Sequence, residues 1–221
     1  MAAKNCPVTP RQKMINMMYI VLTAMLALNV AAEVLEAFNV VDSSLIQTLK
    51  TVDMKNRQVY SAFDQAYAEN AARVGEWKKK ADNVKVKTEE MISYIYSLKE
   101  QLVRASGSSP VTSDNPLKPD RSFLVTESGD TLMLSKQDDL NSPSEILITQ
   151  KGATMLKEKI NEYRDELVDL IKKEDEELIE TVLSALDTSD PPVNYREGGE
   201  AKSWESEYFL DKPLIAVLTL L

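Results

Sequence analysis

Few of the residue types that perform enzymatic chemistry occur in this chain of 221 residues. Histidine, the commonest general base and zinc ligand, is absent, and a single cysteine, Cys6, cannot form a disulfide within one chain. The carboxylates follow helical surface patterns, and no glycine-rich phosphate loop or metal-ligand spacing accompanies them. We therefore expect a protein without enzymatic activity, cofactor or metal site.

The charges are distributed unevenly along the chain, which has 26 basic and 35 acidic residues. Residues 1–32 contain three of the basic residues and none of the acidic ones. Residues 33–221 therefore hold 23 basic residues against 35 acidic ones, a net charge of −12. Because nucleic-acid-binding surfaces need clustered Lys and Arg, we expect no nucleic acid as a partner.

One uncharged segment of nineteen residues runs from Met14 to Ala32. A helix of that length spans about 30 Å, the thickness of a bilayer core. Basic residues precede the segment and carboxylates follow it, so the positive-inside rule predicts a cytoplasmic tail over residues 1–9. We predict a single transmembrane helix with its extension over residues 10–41, and a body outside the membrane.

The start of this helix is marked by Thr9 as N-cap, Pro10 at the first helical position and Gln12, which completes a capping box. A cleavable signal peptide is the alternative, because small residues precede a cleavage site after Ala32. The uncharged run is longer than the roughly 7 to 15 residues of a signal core. The helical pattern also continues past Ala32 without a turn residue, which favours an uncleaved anchor.

Small residues recur at every fourth position in this segment, at Thr23, Ala27 and Ala31. This spacing lets transmembrane helices approach closely. Alanine abundance in an apolar helix explains the pattern equally well. Polar side chains such as Asn16 and Tyr19 also need partners inside a bilayer, so we expect several neighbouring helices.

Residues 42–221 read as one helical bundle of the four-helix type within a mainly α fold. The periodicity predicts helices near residues 44–72, 77–105, 153–186 and from 213 onward. Turn residues predict breaks at Asp42-Ser43-Ser44 and at Gly75. Two short apolar runs favour a small β-hairpin over residues 122–134. The final apolar run reaches Leu221 without a cap, so we expect a truncated helix that continues in a longer chain.

The segment TPRQKMINMMYIVLTAMLALNVAAEVLEAF, which begins at Thr9, resembles the GldM/PorM family and within it the PorM branch. The helices beyond it are similar to the family's first periplasmic domain, so the resemblance covers essentially the whole chain. It implies a single-pass inner-membrane subunit of the type IX secretion system, which is related to gliding motility. Residues 42–221 then form a periplasmic domain.

The resemblance also implies partners. In the family, a homodimer sends two such helices into a pentamer of a multi-span PorL/GldL-type protein, and proton flow turns the dimer. The periplasmic part carries the motion to outer-membrane-associated PorK/PorN-type components, here through domains after Leu221. The alternative that the residues leave open is a periplasmic helical adaptor or chaperone released by cleavage after Ala32.

A proton-driven motor needs a carboxylate in the bilayer, and residues 14–32 supply none, so the resemblance assigns it to a glutamate of the partner. Arg11 remains charged and could bind that glutamate bidentately only while the carboxylate is ionised. Tyr19, about two helical turns further on, could hydrogen-bond the same region. Both residues also suit a simpler part, as anchors at the membrane surface.

Overall fold

The computed structural model describes residues 10–110, 123–125, 131–171, 175–193 and 201–221, without the side chains of residues 26–32 and 109. The predicted tail 1–9, with Cys6 and the Thr9 cap, lies outside the described residues. So does the predicted turn of the hairpin, at residues 126–130. The described part is mostly helical and carries a small antiparallel sheet, which confirms the mainly α fold.

The first helix, α1 (Pro10–Glu69), is 60 residues long, about 90 Å. Its described part begins at Pro10, and the break predicted at residues 42–44 is wrong. Ser43 Oγ donates a hydrogen bond to the Asn39 carbonyl at 2.8 Å, and Ser44 Oγ donates to the Val40 carbonyl at 2.9 Å. These hydroxyls bind the preceding turn of the same helix instead of capping a new one.

The predicted membrane span, residues 14–32, lies within α1, and its last seven residues have no described side chains. Among the residues that the structure describes, none of the helices combines the length and the apolar character needed to cross a membrane. The described structure thus does not confirm the predicted transmembrane helix.

The second helix, α2 (Ala71–Ala105), runs back along α1 after a tight connection at Asn70. The Asn70 side chain accepts a hydrogen bond from the Arg73 N–H at 3.1 Å and caps α2. Gly75, predicted to stop or kink a helix, lies inside α2. The C-terminal end of α2 leads to Gly107, whose φ of 80° is a left-handed value that favours glycine.

Within the described residues, the sheet has three short strands in the order β1-β3-β2, formed by β1 (Ser109–Pro110), β2 (Phe123–Val125) and β3 (Thr131–Met133). Strands β2 and β3 pair antiparallel, with Leu124 opposite Leu132, which confirms the predicted hairpin strands. Strand β1 pairs with the other edge of β3. Leu132 of β3 and Leu134, the residue after Met133, are buried in the core.

The remaining helices are shorter: α3 (Asn141–Ser144), which continues into a π-helical turn (Glu145–Thr149), α4 (Gly152–Leu170), α5 (Glu176–Ala185), α6 (Trp204–Phe209) and α7 (Leu214–Leu220). The single helix predicted over residues 153–186 is therefore two helices. Helix α4 ends at Ile171, whose backbone is extended, and the Asp175 side chain accepts a hydrogen bond from the Leu178 N–H to cap α5.

The hydrophobic core lies where the C-terminal half of α2 meets the sheet, α4 and α7. Helix α7 is its most buried element, because residues 214–218 are each at most 6% exposed. Helix α1 contributes from the side, through Leu35 and Phe38, which are half-buried against the core. We call the elements from α2 to α7 the body.

Candidate functional site: the long helix and its junction with the body

The N-terminal part of α1 is exposed, because every described side chain from Pro10 to Met25 is accessible. Many of these side chains are large and apolar, with Met14, Met17 and Ile20 each between 68% and 71% exposed. A contiguous apolar surface of this kind marks contact with a membrane or a partner. This part of α1 is the first half of the candidate site.

Arg11 and Tyr19 lie in this exposed part, and the Tyr19 side chain is 68% exposed. Their eight-residue separation places them about 12 Å apart along the helix axis. At 3.6 residues per turn they are offset by about 80° around the axis, on neighbouring faces. Both side chains are therefore accessible to a partner that lies along this side of α1.

The predicted packing residues lie further along the same helix. The Thr23 hydroxyl donates hydrogen bonds to the Tyr19 carbonyl and, at 3.2 Å, to the Ile20 carbonyl. Thr23 thereby satisfies its polar group within α1 and leaves its methyl group for packing. The side chains of Ala27 and Ala31 lie outside the described residues, so the small-residue contact stays a prediction.

The junction between α1 and the body begins after Glu33. Leu35 and Phe38 pack against the core, and α1 contacts α7 in this region. These two side chains are one helical turn apart and share a face of α1. Their burial anchors the middle of α1 to the core of the body.

Polar contacts connect α1, the loop after β3 and α7. Asn39 Nδ2 donates a hydrogen bond to Gln137 Oε1 at 3.3 Å, which connects α1 to the loop after β3. The backbone carbonyl of Gln137 accepts from the Ile215 N–H at 3.1 Å, and that of Asp139 accepts from the Leu214 N–H at 2.9 Å. The loop therefore binds the first turn of α7 and also contacts α1.

One turn beyond Phe38, a pair of opposite charges lies between α1 and α2. Burial raises the pKa of Asp42, and the positive charge of Lys99 opposes that rise. Burial lowers the pKa of Lys99, and the charge of Asp42 opposes that fall. Both groups are half-buried. The junction thus includes two partly desolvated charges that stabilise each other.

A second set of contacts holds α1 to α2 near Asn70, where the two helices are connected. Asp64 and Lys78 form an ion pair at 2.6 Å, and the Tyr60 hydroxyl donates to the Ala81 carbonyl at 3.4 Å. Lys85 Nζ also lies 5.6 Å from the centre of the Tyr60 ring. Described contacts therefore hold α1 to the body at the junction and again near its C-terminal end, next to Asn70.

Sequence patterns did not predict the junction, and the roles predicted for Arg11, Tyr19 and Thr23 stay predictions. Asn39 and Gln137 are 98 residues apart, and no local pattern relates them. Asp42 was assigned to a turn because aspartate followed by two serines resembles a helix boundary. The half-burial of Lys99 in a largely solvated helix has no signal in the sequence.

These features define a class of protein: a small helical domain built onto a long helix whose described N-terminal side chains are exposed and largely apolar. The family model of the GldM N-terminal domain matches residues 33–221, and the chain belongs to this family. The match lies almost entirely outside the N-terminal segment that carries the sequence resemblance, so it confirms that resemblance independently. No curated protein matches the chain. Membership in this family indicates that the chain is a component of gliding-motility and type IX secretion machinery.

Proposed function

We propose that this chain is an inner-membrane, non-enzymatic subunit of the type IX secretion motor. In this proposal the N-terminal half of α1 crosses the membrane once, with the N-terminus in the cytoplasm and the body in the periplasm. Two copies form a homodimer, and their helices lie inside a pentamer of a multi-span PorL/GldL-type partner. Proton flow through that complex turns or displaces the pair.

One observation carries the proposal: α1 is continuous from its exposed apolar end to its packed end. The distance from Pro10 to Leu35, the first half-buried core contact, is about 37 Å along the helix. This length exceeds the roughly 30 Å of a bilayer core. Because no loop interrupts α1, movement of its membrane end would reach the junction at Phe38 directly.

Arg11 has a specific part in this proposal. The partner's carboxylate would bind the Arg11 guanidinium while ionised and release it on protonation, and Tyr19 would hydrogen-bond the same region. A switching cycle requires such a differential interaction between two states. The helix itself then needs no proton-binding carboxylate.

We propose that the motion passes from the body to PorK/PorN-type components at the outer membrane. Helix α7 is suited to transmit motion within the body. It is the most buried helix, and its first turn is bound to the loop that contacts Asn39.

Affinity purification of the full-length protein from membranes tests the proposal. Native mass spectrometry should show two copies of this chain with five copies of a multi-span partner. N-terminal sequencing should show an uncleaved start. A mature protein that begins at Glu33 would instead support the released periplasmic adaptor or chaperone.

A matched pair of variants tests the role of the exposed apolar part. Leu22→Lys places a charge at a site that is 60% exposed in the proposed span and should abolish recovery of the partner, because charges in a bilayer are costly. Val40→Lys, at a site 63% exposed on the same helix but beyond the span, should preserve recovery. Equal behaviour of the two variants would contradict the membrane assignment.

A further inference from the structure

The C-terminal half of α1 carries a stripe of side chains at alternating intervals of four and three residues. We call this stripe the seam; it consists of Leu45, Leu49, Val52, Asn56, Val59, Phe63 and Ala66. Alternation of four and three is the heptad pattern of a two-stranded coiled coil. In that pattern Leu49, Asn56 and Phe63 occupy a positions, and the other four residues occupy d positions.

Much of the seam has no cover within the described chain. Leu45 is 42% exposed, Leu49 64%, Val52 46% and Val59 55%. Helix α2 does not close over them, since its facing residue Ile92 is itself 47% exposed. A groove of about 730 Å³ separates the two helices here, and Asn56 and Ile92 both line it. An amphipathic helix with this much exposed apolar surface is short of a packing partner.

The composition of the seam specifies what kind of partner fits. A single Asn at an a position costs stability but fixes the register of a parallel pair, because it binds its equivalent across the interface. Asn56 is such a residue, with apolar a positions on either side. Any shift of register would place its amide against an apolar side chain without a hydrogen-bonding partner. A second copy of α1 in register provides that partner.

We propose that the seam binds α1 of a second copy as a parallel, in-register pair centred on Asn56. The inference rests on the homodimer of the proposed function, since two copies inserted in one membrane have parallel α1 helices. Flanking residues are compatible with this pairing. In a parallel pair Lys55 would lie near Tyr60 of the second copy and Thr48 near Asp53, so like charges do not meet.

The contact with the body and the contact with a second copy fit on one helix. At 3.6 residues per turn, the mean direction of the seam lies about 60° around α1 from the face that Leu35, Phe38 and Asp42 turn to the body. This angle is close to that between neighbouring helices in a bundle. The second copy would therefore lie beside the body, over the groove between α1 and α2.

Cysteine cross-linking in membranes of the full-length protein tests the seam, in a Cys6→Ser background that removes the native thiol. Leu49→Cys and Val52→Cys place thiols at exposed a and d positions, where parallel helices bring Cα atoms within disulfide range. Met54→Cys is the matched control, because Met54 is 58% exposed and lies on the opposite face of α1. We expect at least tenfold more disulfide-linked dimer at the two seam positions than at the control.

Failure of this inference can be told apart from failure of the proposed function. Native mass spectrometry of the same samples counts the copies of the chain in each complex. Two copies without cross-linking at positions 49 and 52, or with equal cross-linking at position 54, would overturn the seam and leave the motor proposal intact. One copy per complex would overturn both.

Discussion

Asn39 of α1 and Gln137 of the loop after β3 are joined by a hydrogen bond of 3.3 Å across 98 residues of sequence. The same Gln137 accepts a hydrogen bond from Ile215 at the start of α7 through its backbone carbonyl. A displacement of α1 at this point therefore acts on the core helix and on the sheet loop together. The junction is where the body would receive motion from the long helix.

Phe38→Ala should weaken the junction. The ring packs against the core but is half-buried, so we expect a loss of about 2 kcal/mol in the free energy of unfolding, below the cost at a fully buried site. Urea unfolding followed by circular dichroism measures the loss. Val40→Ala removes an apolar side chain that is 63% exposed two positions away and should change stability by less than about 0.5 kcal/mol.

Arg11→Ala should abolish type IX secretion while membrane insertion and dimer formation remain intact. The reason is the loss of the permanent positive charge that a partner carboxylate would bind. Arg11→Lys retains the charge without bidentate geometry and should restore secretion only in part. Cys6→Ser is the neutral control. Normal secretion by the alanine variant would remove Arg11 from the mechanism.

Lys80→Met should loosen the end of α4. Lys80 Nζ donates a hydrogen bond to the Leu170 carbonyl at 2.9 Å, in the last turn of α4, and lies 5.6 Å from the centre of the Trp77 ring. A cation at a helix C-terminus contributes about 0.3–1 kcal/mol. Amide hydrogen exchange in residues 167–171 should accelerate up to about fivefold. The exposed neighbour Lys79, changed to Met, should leave exchange there unaltered.

Asp42→Asn should change how stability depends on pH. Burial raises the pKa of Asp42 in the folded state, and Lys99 only partly opposes this. The contribution of Asp42 to stability is therefore fully present below its ordinary pKa of 3.8 and is lost as pH rises through the folded-state pKa. The free energy of unfolding of the variant minus that of wild type should therefore be larger at neutral pH than below pH 3.8.

Urea midpoints of the two proteins at both pH values measure this difference. Glu36→Gln is the control, because Glu36 lies on the exposed side of the same helix. An Asp42→Asn variant that tracks wild type at every pH would show that the partly desolvated carboxylate does not act on stability.

Local sequence patterns predicted much of the fold. The run of apolar residues at alternating intervals of three and four predicted α2 through Ala105, and the paired apolar runs predicted β2 and β3. Each of these features is decided within a few residues, by side-chain periodicity or strand alternation. The turn at Asn70 has the same local origin, but Gly75 nearby gave a competing signal.

Other features depended on contacts between distant segments. The serines after Asp42 can cap a helix or bond to its own carbonyls, and in the folded protein they bond to the carbonyls of Asn39 and Val40. The division between α4 and α5 likewise lies in a segment whose periodicity reads as one helix.

By itself, then, the sequence determined the helical class, the ends of several elements and the uncharged apolar run in α1, because these depend on neighbouring residues. Only the tertiary structure decided that α1 is continuous, that α7 forms the centre of the core and that Asn39 meets Gln137. Hydrogen bonds and burial of that kind take their free energy from groups far apart in the chain, and a local pattern does not encode the identity of a distant partner.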